Sequence, residues 1–341
     1  MSKFEIPYLA DVFSTLGTQL SCPDDELSAI IRDEHYYNAW FTADSVEKAV
    51  KAVGRMLNKE DLLTWLNRYP IERMGVNKQV GLVLAGNIPL VGFHDVLCVL
   101  ISGNHALIKS SSQDNRLIKE VLKRLALIEP ALGDKYTFIE RLTSFDAVIA
   151  TGSNNTSRYF DYYFSKVPNV IRKNRNSVAV LTGDETKDQL FALGRDIFDY
   201  YGLGCRNVSK LFVPPGYDIV PFFEAIEPYK AIIDHHKYNN NYDYNKSIYL
   251  VNRDQHFDNG FLLLKEDKAM ASPLAVLFYE NYDSIDSVQE LLQQQSENIQ
   301  CIVSTARLDV NNQVVDLGQS QQPALWDYAD GVDTMDFLTK L

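Results

Sequence analysis

The stretch VGLVLAGNIPLVGFHDVLCVLISG, Val80 to Gly103, is apolar over a length that could cross a bilayer. Gly86, Asn87 and Pro89 interrupt it in the middle, and His94 and Asp95 would each be costly in hydrocarbon. The stretch therefore reads as a buried strand, a tight turn and a helix, not as an integral membrane segment.

The same alternation recurs on the C-terminal side of this stretch. Short β-rich runs at Ala106–Ser110 (ALIKS), Asp146–Thr151 (DAVIAT) and Ser177–Leu181 (SVAVL) are separated by helices expected after Pro89, Asp114 and Asn155. This pattern predicts βαβ units and a mostly parallel sheet, in which ligands bind at the carboxyl ends of the strands. Upstream, the chain to about residue 70 reads as helical, with Val46, Ala49, Val50, Val53, Met56 and Leu57 at helical spacing and Asp44 or Ser45 as cap. Tyr36, Tyr37, Trp40 and Phe41 read as core aromatics of this layer. Beyond Cys205 a second α/β region is expected, with strands in SKLFVP, SIYLVN, LAVLFYE and CIVST and a helix at Val288–Gln295. The polar run His235–Asn245 (HHKYNNNYDYN) reads as an exposed, mobile loop.

At 341 residues, 46% of them apolar or aromatic, the chain exceeds what one core organises, so two domains are expected. The formal charge of −12 comes without a large basic block, which argues against a nucleic-acid partner. Cys22, Cys98, Cys205 and Cys301 lie too far apart to read as a disulfide framework, and the first residues lack the features of a signal peptide. A cytoplasmic enzyme is the expectation.

Several segments fall where strands give way to turns. Asn87, in Gly86-Asn87-Ile88-Pro89, is either a helix cap or a hydrogen-bond donor into a cleft, with Pro89 in the first helical turn. Lys109, followed by Ser110, Ser111 and Ser112, is either an exposed lysine or a ribose or phosphate ligand. Thr151-Gly152-Ser153-Asn154-Asn155 runs a strand end into a helix N-terminus whose N–H groups suit phosphate. In Gly202-Leu203-Gly204-Cys205-Arg206-Asn207, Cys205 is either a small buried hydrophobe or a thiol projecting from a glycine-bracketed turn. His235-His236 lacks further ligands for a metal, and His94 and Cys98 read as core.

Taken in order, the asparagine corner, the lysine strand end, the Thr-Gly-Ser turn and the glycine-flanked cysteine resemble the aldehyde dehydrogenase superfamily. Within it the chain is similar to the LuxC-type acyl-CoA reductases, with Ala271–Leu277 (ASPLAVL), Tyr279-Glu280 and Leu325–Thr334 (LWDYADGVDT) as further signs, over about residues 35–341. The resemblance implies an α/β, aldehyde dehydrogenase-like fold of two Rossmann-like domains with an N-terminal helical layer. Its parts would be residues 1–174 (helices and cofactor domain), 175–310 (catalytic domain carrying Cys205) and 311–341 (a C-terminal return segment).

It also implies roles. Cys205 would be the nucleophile, and Asn87 with the Cys205 backbone N–H would serve the oxyanion. Lys109 would hold the adenosine ribose, Ser110 and Ser112 would belong to the same cofactor site, and Gly152 and Ser153 would lie against the diphosphate or nicotinamide ribose, with no metal. The expected reaction is reduction of a long-chain acyl thioester to an aldehyde through a thioacyl-cysteine. The alternatives are a cysteine-dependent acyltransferase or thioesterase, or a catalytically silent nucleotide-binding relative.

Three departures from the superfamily sharpen these expectations. Hydrolytic members place a glutamate upstream of the cysteine to activate water; the matching segment here, Val170–Ser177, has no carboxylate, which favours hydride transfer over hydrolysis. The acidic residue that grips the ribose in NAD-users is replaced by Ser112, and with Lys109 and Arg116 near, NADPH is expected ahead of NADH. Ala269 stands where a glutamate often holds the nicotinamide ribose. The expected partners are an acyl-CoA or acyl-protein thioester, an acyl-protein synthetase and a second copy of the chain.

Overall fold

The computed structural model describes residues 5–70 and 77–341. The chain forms two compact units: residues 1–174 with 324–341, and residues 175–323. Residues 311–323 cluster with the second unit, and the return to the first begins at Ala324.

The first unit is built on five strands: β1 (Gln79–Val83), β2 (His105–Lys109), β3 (Tyr136–Phe138), β4 (Ala147–Thr151) and β5 (Asn169–Arg172). They lie in the order β3-β2-β1-β4-β5, parallel throughout. Parallel sheets are covered on both faces, which explains the near-continuous apolar runs: Ala147 to Ala150 are all buried. Helices α5 (Phe93–Ile101), α6 (Arg116–Ile128), α7 (Pro130–Gly133) and α8 (Asn154–Phe164) connect successive strands. The stretch Val80–Gly103 thus holds most of β1, a turn and the nine-residue α5. No helix among the described residues is long and apolar enough to cross a membrane.

Among the described residues four α-helices precede the sheet: α1 (Ile6–Ser21), α2 (Asp25–Asp33), α3 (Ala43–Met56) and α4 (Lys59–Leu66). Their apolar faces join the sheet's own core, so Phe13, Leu16, Val50 and Trp65 share one cluster with Leu97, Val121 and Ile149. Thr42, not Asp44 or Ser45, caps α3, its hydroxyl accepting from the Ser45 N–H. Phe41 is buried and Trp40 half-buried, but Tyr36 and Tyr37 are 77% and 66% exposed, contrary to their reading as core.

Where α1 crosses α3, the backbones meet at Gly17 and Gly54. A Cβ on Gly54 would lie 2.7 Å from the Ser21 nitrogen and 2.8 Å from the Gly17 carbonyl oxygen. Neither can rotate away, so Gly54→Ala should push the helices apart and cost about 1–3 kcal/mol despite alanine's better helix propensity. Urea unfolding of the variant checks this; unchanged stability would contradict the close crossing.

The second unit carries seven strands, β6 (Asn176–Val180), β7 (Val208–Val213), β8 (Phe257–Asp258), β9 (Leu263–Glu266), β10 (Val276–Asn281), β11 (Ile299–Ser304) and β12 (Gln313–Val315). Their order is β12-β11-β6-β7-β10-β9-β8, parallel except for β8 against β9. Successive side chains of β6 enter opposite cores. Ala179 packs with α9 (Lys187–Phe198) and α10 (Val220–Ile226), whereas Val178 and Val180 pack with α12 (Ile285–Gln294).

The largest correction to the sequence reading lies here. His235–Asn245 is not a mobile loop and SIYLVN is not a strand; both belong to one helix, α11 (His236–Asn252). Its buried stripe, Tyr238, Tyr242, Asn245 and Tyr249, has helical spacing but is written in residues that score as polar. Asn241 and Asn245 donate to the carbonyls one turn back, and Asn245 also to Leu274 O at 3.0 Å. Arg253 ends the helix in the left-handed region.

Candidate active site

The candidate groups of the first unit gather at the carboxyl edge of its sheet. Val83 is level with Lys109 on one side and Ala150 on the other, and Thr151 with Arg172. The chain runs from β1 through β2 to β3 on one side, then places β4 and β5 on the other, so the topological switch lies between β1 and β4. Open α/β sheets bind ligands outside such a point.

After β1 the chain makes a turn in which Asn87 is exposed. Leu90 adopts φ 57° there, and α5 begins only at Phe93 with Gly92 as N-cap. Pro89 therefore belongs to the turn, not to the first helical turn, and Asn87 is not the cap. Lys109 ends β2 with its side chain exposed; Ser112 is exposed as well, and Ser110 donates to Asn115 Oδ1 at 2.9 Å. After β4, the Gly152 N–H donates to Arg172 O at 3.2 Å. Ser153 caps α8, its Oγ accepting from the Thr156 N–H at 3.2 Å. The hydroxyl is thus engaged by the helix, while the N–H groups of the first helical turn remain suited to an anion. A cation, two serines and a helix N-terminus thus lie around one switch point.

Arg116 does not stand ready for a phosphate. Its guanidinium lies 4.0 Å from the centroid of the Tyr37 ring, and Nη1 is 3.3 Å from the buried Glu34 carboxylate. Of the two cations expected near the ribose, Lys109 is the exposed one.

Within Val170–Ser177, the segment without a carboxylate, Arg172 is 4% exposed. It donates to both Asp95 oxygens, at 2.7 and 3.2 Å, to Ala329 O at 2.6 Å and to Thr334 Oγ1 at 2.9 Å. The C-terminal run is therefore a partner of this strand end. Tyr328 Oη accepts from Trp65 Nε1 at 2.6 Å, Tyr69 Oη donates to Asp333, and His94 Nε2 meets Leu325 O at 2.9 Å. His94 is a core histidine, as its position on α5 suggests, and α13 (Thr334–Thr339) continues the run against α5.

In the second unit Cys205 sits on the turn that leads into β7. Asn207 N–H donates to Gly204 O at 3.1 Å, Gly204 N–H to Asn207 Oδ1 at 2.8 Å, and Ser177 Oγ to Cys205 O at 3.1 Å. Asn207 Nδ2 also donates to Asp199 O and Asp196 O, closing the end of α9. The segment before the cysteine is unusual: Tyr200, Tyr201 and Gly202 have φ of 54°, 59° and 77°. Bulky residues in the left-handed region each cost on the order of 1–3 kcal/mol, and such strain concentrates at functional sites. Cys205 is half-buried, whereas Cys98 and Cys301 are fully buried and burial raises both thiol pKa values.

Asn207 and Arg206 carry no role in the sequence reading, although both neighbour Cys205. Arg206 is buried and donates to Gln313 Oε1 at 3.1 Å. Buried Lys210 reaches Glu280 Oε2 at 2.5 Å and Asp267 O at 3.0 Å, ordering the loop that holds Ala269, whose own N–H donates to Asp267 Oδ1. Only the Cys-x-Asn spacing hinted at Asn207; nothing in the sequence marked Lys210 as buried. His235 caps α11 and lies 4.3 Å from the Tyr201 ring. Among the described residues no cluster of His, Cys, Asp or Glu could hold a metal ion.

Residues 66–214 match the sequence model of a family described as acyl-CoA reductase (LuxC). No curated protein matches the chain. Solved structures do, with the aldehyde dehydrogenase fold. An aldehyde dehydrogenase from Physcomitrella patens in complex with the reaction product succinate is 11% identical with TM-score 0.65, covering 99% of this chain and 84% of that one. A NAD-dependent aldehyde dehydrogenase from Sinorhizobium meliloti is 11% identical with TM-score 0.64, covering 91% and 74%. A variant of the P. syringae indole-3-acetaldehyde dehydrogenase in complex with NAD+ and IAA is 13% identical with TM-score 0.61, covering 90% and 73%. The chain has an aldehyde dehydrogenase-like fold.

Proposed function

We propose that this oxidoreductase acting on acyl or aldehyde groups, with its LuxC acyl-CoA reductase family match and aldehyde dehydrogenase-like fold, reduces a long-chain acyl thioester to an aldehyde with NADPH. The observation that carries the reading is a half-buried Cys205 on a pinned, strained turn of the second unit; the lack of a carboxylate in Val170–Ser177 supports reduction over hydrolysis.

In this proposal the Cys205 thiolate attacks the thioester carbonyl, and the Asn87 amide and the Cys205 backbone N–H donate to the oxyanion. The intermediate collapses with loss of the CoA thiolate, leaving the acyl group on Cys205. Lys109, Ser110, Ser112, Gly152 and Ser153 are the residues that would hold the dinucleotide, which supplies a hydride when bound. The resulting hemithioacetal on Cys205 then breaks its C–S bond, releasing the aldehyde and restoring the thiolate. Arg172 is already committed to Asp95, so no side chain of Val170–Ser177 is a base for the competing hydrolysis.

Exposed Lys109 and Ser112, with no acidic residue between them, support NADPH over NADH, since a carboxylate there would repel a 2′-phosphate. The proposal extends to acyl-CoA or an acyl-protein thioester as donor, an acyl-protein synthetase as supplier, a homo-oligomer and a cytoplasmic location.

A panel of acyl-CoAs of increasing chain length, assayed with NADPH and with NADH, tests it. The expected result is aldehyde formation stoichiometric with NADPH oxidation, rising with chain length. Release of free acid and CoA without cofactor oxidation would overturn it in favour of a thioesterase.

A further inference from the structure

The carboxylate of Asp114 is 5% exposed and lies in the loop that leaves β2, five residues beyond Lys109. Its Oδ2 accepts the Leu90 N–H at 2.6 Å, across 24 residues of sequence. Leu90 is the residue of the Asn87 turn held at φ 57°, a conformation that a leucine rarely adopts unaided. The two loops also touch at Gly86, where a Cβ would lie 2.6 Å from Ser111 Cβ and 3.1 Å from the Asp114 nitrogen. The other oxygen, Oδ1, is buried with no hydrogen-bond partner among the described residues. A buried carboxylate with one oxygen unpaired is costly, so the bond that its other oxygen makes to Leu90 matters more than packing alone.

We propose that Asp114 is a positioning residue: one carboxylate holds the turn that presents Asn87 in register with the Lys109–Asn115 loop. The catalytic consequence rests on the reading of Asn87 as an oxyanion donor. A dinucleotide that orders the Lys109 loop then also steadies Asn87, because both loops close on the same side chain. Burial raises the Asp114 pKa to about 7, opposed by the Leu90 N–H and assisted by the nearby Glu34 carboxylate. Arg116, the neighbouring cation, is turned to Glu34 and Tyr37.

The test compares Asp114→Ala and Asp114→Asn with the wild-type enzyme. Amide hydrogen exchange of the segment 86–92 should accelerate about tenfold or more in Asp114→Ala and stay within about threefold of wild type in Asp114→Asn, which keeps an acceptor for the Leu90 N–H. Kinetically, Asn87→Ala should lower kcat about a hundredfold to a thousandfold. Asp114→Ala should lower kcat about tenfold with little change in thioester KM, yet by less than about twofold when added to Asn87→Ala, because residues acting through one another are not additive. Unchanged exchange in Asp114→Ala, or losses that multiply in the double variant, would overturn the inference. Were the wild type inactive on acyl thioesters, or Asn87→Ala fully active, the catalytic reading would fall, and the exchange result would still decide whether Asp114 holds the turn.

Discussion

Replacing Cys205 with alanine should reduce acyl-thioester-dependent NADPH oxidation to below about a thousandth of the wild-type rate, because the proposed mechanism runs through its thiolate and nucleophile knock-outs are among the most severe single changes. The variant should fold. The bonds that hold the turn use the Cys205 carbonyl, the Gly204 backbone and the Asn207 side chain, none of which the substitution removes. NADPH binding, followed by nicotinamide fluorescence, should survive, since the residues proposed to hold the dinucleotide lie in the other unit. Cys22→Ala is the control: Cys22 is exposed at the end of α1, and its loss should leave turnover unchanged. Cys301 would be a poor control, because its thiol lies 3.1 Å from Ser177 Oγ, the group that bonds Cys205 O. Full activity in Cys205→Ala would sink the mechanism. A labelled acyl group that remains bound to wild-type protein in the absence of NADPH, and is not trapped by the variant, would support it directly.

The second large effect concerns stability. Arg172→Met should destabilise the first unit by about 3–5 kcal/mol, since it leaves the Asp95 carboxylate, 13% exposed, without its bidentate partner. The same change removes the donors to Ala329 O and Thr334 Oγ1, so the C-terminal run should become more sensitive to proteolysis than the rest of the chain. Adding Asp95→Asn should recover a large part of the loss, because most of the cost of breaking a buried pair is the charge left behind. Chemical denaturation of the single and double variants decides it. A single variant within about 1 kcal/mol of wild type would mean that the pair is solvated in solution, as exposed pairs are.

Arg172 also shows how much of the site was legible in advance. That Val170–Ser177 lacks a carboxylate is a fact of the sequence. What occupies the place instead was not readable, because the partners of Arg172 lie 77, 157 and 162 residues away. The run Leu325–Thr334 stood out for its resemblance to a family, yet its physical task, supplying partners to Trp65, Tyr69, His94 and Arg172, appears only when the chain returns to the first unit. Arg116 went the other way. Its position in the sequence suggested a phosphate ligand, and the fold commits it to Glu34 and Tyr37.

The elements that rest on local periodicity are written in the residue order alone. The apolar runs of β1, β2, β4 and β6, the breaking residues at Gly86 to Pro89 and the amphipathic spacing of α3 announce a parallel α/β chain, because strand and helix burial impose periods that can be counted. Helix α11 escaped this count because tyrosine and asparagine bury surface without scoring as apolar. Which polar groups are spent on the fold and which stay exposed follows from how distant segments meet in space. Ser153 is given to a helix cap, Asp114 to the Asn87 turn and Asn207 to the cysteine turn, while Lys109 and Ser112 stay exposed. The reason is that a hydrogen bond is set by distance in space, and the residues that complete these sites lie on segments that sequence order does not bring together.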